Sequence, residues 1–180
     1  MWDGASVARD SLHWTQRVAA RPTNSRSEPG RPCEGKELMK AITLYQPYAS
    51  AIAQGLKHFE TRRWNTSYRG PLAIHVAKIQ PQWCLSFENV EAARGRFPGQ
   101  WLPRGAVVCI AELVDVRSTT EVAWQVSDTE RLYGDYEPGR WAWELANVRV
   151  LVDPVFVRGK QGLWDWPVEI KTLKLKVVAR

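Results

Sequence analysis

"ITLYQPYASAIAQGLKHFETRRWNTSYRGPLAIHVAK", residues 42–78, holds the clearest local signals in the chain. Its first residues, with Lys40 and Ala41 before them, read as a strand. "QPYASAIAQG" then reads as a short helix, with Pro47 near its first turn, Tyr48, Ala51 and Ile52 on one face, and Gly55 as its stop. "HFETRRW" is β-prone and alternating, which predicts His58, Glu60, Arg62 and Trp64 on one side of a second strand. "NTSYRGP" is turn chemistry, and "LAIHVAK" predicts a third strand with Leu72, Ile74 and Val76 toward the core.

Beyond this stretch the signals thin out. A second helix is expected within residues 85–94, and the turn "LPRG" precedes the strand "AVVCIAELVDV". Ser118 and Glu121 have capping-box spacing and predict a short helix running to about Val126. "RWAWELAN", "VRVLVDPVFV" and "VEIKTLKLKV" read as three more strands, with "RGKQGLWDWP" as an aromatic loop between the last two. Short strands with a few helical insertions predict an α+β protein built on a small, closed or nearly closed β-barrel.

Residues 1–38 differ in character. "ARPTNSRSEPGRPCEGKE" is rich in Arg, Pro, Ser and Gly with almost no apolar periodicity, so a disordered N-terminal extension is expected ahead of one domain at 39–180. A patch around Leu12, Trp14 and Val18 is too short to stand as a helix. "EGKEL", directly before Met39, can be encoded by purine-rich codons resembling a bacterial ribosome-binding site. Native translation starting at Met39 is therefore a further expectation.

The chain has 180 residues and a net charge of +6, of which +5 falls on residues 39–180, so an anionic partner is favoured over a cationic one. Ten tryptophans, eight of them in the domain, suit a groove lined by large amphipathic rings. Cys33, Cys84 and Cys109 are far apart and odd in number, which points to free thiols in a reducing cytoplasm. No run of about 18 apolar residues occurs, so no membrane span is expected. Three histidines without local carboxylate or thiol partners give no metal-ligand spacing, and no cofactor motif is present.

Taken as bare residues, Lys57, Glu60 and Arg62 read first as an ion-pair cluster at a strand end. The pattern around them, however, resembles the opening of an ASCH domain, the activating-signal-cointegrator homology module of the PUA-like superfamily. The matching residues are Q-P-Y-A at 46–49, G-x-K-x-x-E-x-R at 55–62, Trp64, the "YRGP" turn and "IHVAK" at 74–78. "WAWELANVRVL" and "GKQGLWDW" resemble the closing half, so the likeness runs from 39 to roughly 170.

The resemblance implies a PUA-like β-barrel with a cleft at one end, lined by the G-x-K-x-x-E-x-R segment, and RNA or a modified nucleoside as its partner. Some small ASCH proteins resemble hydrolases, either of acylated cytidine or of RNA, and a protein-interaction module is a third reading. In the acetylcytidine-cleaving members a threonine nucleophile stands three residues after the lysine. Here that position is Glu60, and strand alternation turns Thr61 the other way.

The candidate catalytic residues are accordingly Lys57 for an oxyanion, Glu60 as a general base, and Glu144 as a second carboxylate whose rival role is an outward polar residue. For nucleic-acid binding the candidates are Arg62 and Arg63 for phosphate or a base edge, Trp64 and Trp164 for stacking, and Lys78 and Lys160 for phosphate. Gln46 could reach a base or cap its helix. Trp166 is a further stacking candidate, Trp141 and Trp143 are expected in the core, and His75 is expected to be a hydrogen-bonded structural histidine.

Overall fold

The structure is a computed structural model and describes residues 38–93, 95 and 103–177. The expected extension, apart from Leu38, lies outside the described residues, as do Cys33 and the patch around Trp14. Seven strands make one mixed sheet: β1 (Met39–Leu44), β2 (Phe59–Arg62), β3 (Gly70–Val76), β4 (Ala106–Ser118), β5 (Trp141–Phe156), β6 (Leu163–Trp166) and β7 (Leu175–Val177). Their order is β2-β5-β4-β3-β1-β6, with β7 on the same edge of β5 as β2 but farther along it.

The sheet does not close. No ladder joins β6 to β2 or β7 among the described residues, which corrects the expected barrel. The physical reason lies in how the strands are buried. A small barrel has one interior, so alternate residues face outward, but here both alternations are covered. Leu72, Ile74 and Val76 join one apolar cluster with Ile42, Leu44, Leu113 and Trp143, onto which helix α1 (Tyr48–Ala53) packs through Ala49 and Ile52. Ala73 faces the opposite cluster with Met39, Ala41, Ile110, Trp164 and Trp166, which is covered by Val168, Ile170 and Leu173 of the C-terminal segment.

β1 and β3 run parallel, pairing Ile42 with Ile74, and the crossover between them carries α1 and β2. Gly55 ends the turn after α1 at φ 72°, and its N–H donates to the Ile52 carbonyl. A left-handed glycine at that place is a common helix stop. It aims Lys57 and the start of β2 back along the sheet.

Other expectations shift in detail. "RWAWELAN" and "VRVLVDPVFV" form the single strand β5, which passes Asn147 at φ 49° while its pairing with β4 changes register three times. The expected aromatic loop contains β6, antiparallel to β1. "VEIKTLKLKV" shrinks to a 3-10 turn (Ile170–Thr172) and β7. Helix α2 spans Gln82–Ala93, starting before the expected 85. Helix α3 is only Thr119–Val122, and the Ser118 side chain meets Thr120 instead of capping it. A side-chain cap forms one helix later: Ser127 accepts the Glu130 N–H at the start of α4 (Asp128–Tyr133). Among the described residues no helix is long and apolar enough to cross a membrane.

Candidate nucleic-acid interface

Four strand ends converge at one end of the sheet. The Ala77 N–H donates to Leu44, Gly105 to Val76, and Val157 to Gly105, all within 3.0 Å. These ends form one wall of a cleft of about 1960 Å³; the other wall comes from β2 and the residues after α4. Its charged lining is unequal. Six basic side chains (Arg62, Lys78, Arg104, Arg140, Arg158 and Lys160) face two acidic ones, Glu60 and Asp135. Among the described residues, Lys78, Arg158 and Lys160 have no ion pair.

Behind the β2 wall sits a continuous ionic cluster. Lys57 Nζ donates to the Phe59 carbonyl at 2.5 Å and the Tyr133 carbonyl at 2.6 Å, and stands 3.5 Å from Glu60 Oε2. Three partners match the three donors of an ammonium. With 1% of its surface exposed, Lys57 does not line the cleft. Glu60 does, and its other oxygen lies 3.0 Å from Arg62 Nε, off the hydrogen-bond line, so this contact is an ion pair. Arg62 also reaches the Thr43 carbonyl through Nη2. The alternation of β2 thus brings Glu60 and Arg62 to one side, while the Thr61 hydroxyl accepts the Asp135 N–H.

Glu130 anchors this arrangement. Its carboxylate accepts the N–H groups of His58 and Phe59 and the Tyr136 hydroxyl, and lies 3.2 Å from His58 Nδ1. Burial pushes the carboxyl up, but the hydrogen bonds from His58 and Phe59 and the Lys57 charge outweigh it, so it sits below the ordinary value. Burial and the Glu130 carboxylate together push the Tyr136 phenol up.

Tyr48 lines the cleft, and no described residue pairs with its hydroxyl. Burial first, then Cys84 and the Glu60 charge, push that phenol up to about 12, so it remains a donor at neutral pH. His75 also lines the cleft but is buried: Nε2 meets the Val157 carbonyl at 3.0 Å, Nδ1 has no partner among the described residues, and burial pushes the ring down. Gly159 packs closely against that ring, where a Cβ would stand 2.3 Å from Cε1.

The other predicted residues are placed elsewhere. Gln46 is fully buried, donating to the Pro103 carbonyl and accepting the Ser50 N–H, a helix-capping arrangement. Glu144 lies outside the cleft, 2.7 Å from Arg117. Trp64 packs edge-on against Trp143 at 4.6 Å, and exposed Arg63 is likewise outside the lining. Trp164 and Trp166 are buried, Trp164 donating to the Thr43 hydroxyl. Lys78 and Lys160 do reach the cleft.

The cleft's exposed rings are Tyr45, Trp83 and Phe156, none of which the sequence reading singled out. Tyr45 directly precedes the Q-P-Y-A signature, a signal that was available. Trp83 and Phe156 carry no comparable mark. Among the described residues, no three His, Cys, Asp or Glu side chains gather as metal ligands would.

With this geometry, comparison with known proteins is direct. The ASCH domain matches residues 42–155, and the chain belongs to that family. Human Activating signal cointegrator 1 is 30% identical over 93 residues, which are 48% of this chain and 16% of that protein. This chain therefore matches about one sixth of that relative's length. The crystal structure of ASCH from Zymomonas mobilis is 15% identical, covering 71% of this chain and 87% of that one, with a TM-score of 0.47. A mutant of the same protein gives 16% identity, 73% and 89% coverage, and a TM-score of 0.46.

Proposed function

We propose that the cleft binds RNA, holding a nucleobase against Tyr48, Glu60 and Arg62 and the phosphates on its basic rim. The observation that carries this reading is the lining itself: six cations against two carboxylates, interleaved with exposed aromatic rings. Phosphate contacts supply affinity, and aromatic faces accept unpaired bases. On the β2 wall Arg62 offers donors beside the Glu60 acceptor, and the Tyr48 hydroxyl adds another, a mixed edge suited to a base and equally to a modified nucleoside. Membership in the ASCH family favours the same ligand class.

The geometry favours binding over hydrolysis. Each oxygen of Glu60 faces a cation, and the second carboxylate in the cleft, Asp135, pairs with Arg140 at 3.0 Å. Two neighbouring cations hold a carboxylate in its charged, weakly basic form, which suits accepting a hydrogen bond better than removing a proton from water. The test is fluorescence anisotropy with labelled single-stranded RNA from low to moderate salt, alongside a panel of nucleosides. The expected result is binding whose logarithm falls with log salt by about 0.7 per phosphate contacted. Nucleoside binding without salt dependence would replace the polymer by a small ligand; binding of neither would turn the assignment to a protein partner.

A further inference from the structure

Apart from the Glu60–Arg62 pair on the β2 wall, the cleft carries exposed apolar side chains. Ile79 is 84% exposed, Trp83 59% and Tyr45 41%, and all three line the cleft. Exposed apolar side chains grouped in this way mark an interaction site more often than an accident of sequence. The Trp83 ring is also held in place. It meets Tyr45 at 6.2 Å and 85°, and Tyr48 at 6.4 Å. Tyr48 continues to Phe87 at 5.8 Å, and Phe87 to Tyr133 at 5.9 Å, so a ladder of rings runs from the rim to the buried helix end that receives Lys57. A ring so supported loses little conformational freedom on binding.

We propose that Tyr45, Ile79 and Trp83 form a subsite that stacks a second, flanking base of a single strand, with the adjacent Lys78 on its phosphodiester. This inference rests on the RNA reading of the cleft and goes further, requiring a ligand of at least two nucleotides. Charge selects this occupant. A protein partner is best served by a patch whose centre is poor in charge, whereas this one shares its cleft with six cations, and Lys78, next to Ile79 in the chain, has no ion pair among the described residues. Size agrees: about 1960 Å³ exceeds the roughly 300–1,000 Å³ of sites that enclose one small molecule. Unpaired bases are needed because a duplex keeps its faces stacked.

The experiment compares oligouridylates of one to four nucleotides on the wild type, Trp83→Ala, Trp83→Phe and Lys78→Ala. The second nucleotide should strengthen wild-type binding about tenfold or more, as one stacked base does. Trp83→Ala should lose most of that step, a larger loss than it causes for the mononucleotide, and Trp83→Phe should retain it. Lys78→Ala should lower the salt slope for the dinucleotide by about 0.7. An equal dinucleotide step in the wild type and Trp83→Ala would overturn the subsite and leave the RNA reading standing. Failure of the wild type to bind any length would overturn both.

Discussion

The Lys57 ammonium and the Tyr133 carbonyl, 76 residues apart in sequence, meet at 2.6 Å in the interior. The same ammonium stands beside Glu60, so the end of α4 and the β2 wall are fastened through one side chain. Removing one member of a buried charged pair strands the rest, at a cost of about 3–5 kcal/mol. Lys57→Met should therefore lower the melting temperature by roughly 10 °C, given about 2–4 °C per kcal/mol for a domain near this size. A shift below about 3 °C in a circular-dichroism melt would show that the two carbonyls find other donors.

Gly159 and His75 make a second test. Gly159→Ala would set a methyl 2.3 Å from the ring and 2.8 Å from the Thr43 hydroxyl. Overpacking of this kind costs about 1–3 kcal/mol. The double variant with His75→Ala should be less destabilised than the sum of its singles by at least about 1 kcal/mol, because the closer clash, the one with the ring, disappears and only that with Thr43 remains. Strict additivity in urea melts would place the cost elsewhere.

Glu60 joins the proposed ligand site to the buried Lys57 cluster. Glu60→Gln keeps the shape but removes the charge that faces Lys57 and Arg62. RNA affinity should fall about tenfold, or about 1.4 kcal/mol, with the salt slope preserved because the rim cations are untouched. Unchanged affinity would show that the ligand does not reach Glu60.

Acid should weaken the fold in two steps. His75 is pushed down in the folded state, so as pH falls below about 6.5 the unfolded chain takes up a proton that the folded chain refuses. Stability is lost from there down to the folded value. Glu130 is also held below its ordinary value, so its contribution is present above about pH 4.3 and disappears as pH falls further. In urea melts from pH 7.5 to 3.5, His75→Gln should remove the first step and Glu130→Gln the second. A first step that survives His75→Gln would assign it to another group.

The parts legible in the sequence are those fixed by near neighbours. Alternation placed Leu72, Ile74 and Val76 on one face and brought Glu60 beside Arg62, as the structure shows. Partners distant in the chain escaped. Trp164 and Trp166 looked like loop residues between glycines and Pro167, and become a strand only because β1, more than a hundred residues earlier, offers them an edge. The saturation of Lys57 was hidden for a similar reason, since an accepting main-chain carbonyl leaves no mark on residue identity. The split into two strands fell after Asn147, where the backbone is left-handed at φ 49° yet stays within β5. Ser127 and Glu130 were a missed signal with a stated pattern, the same capping spacing as the Ser118–Glu121 pair that was noticed.

Strand order also bears on how the protein is made. β1 finds its outer neighbour only at residues 163–166, and β2 finds its neighbour only at residues 141–144. On a ribosome, both early strands emerge with open edges and wait through most of synthesis for late-emerging partners. The cleft, drawing on Tyr45 and Glu60 from one part of the chain and Arg158 and Lys160 from another, is completed only once residue 162 has been made. A nascent chain interrupted before residue 163 would be left with an uncovered β1 edge, the kind of exposed strand on which aggregation begins.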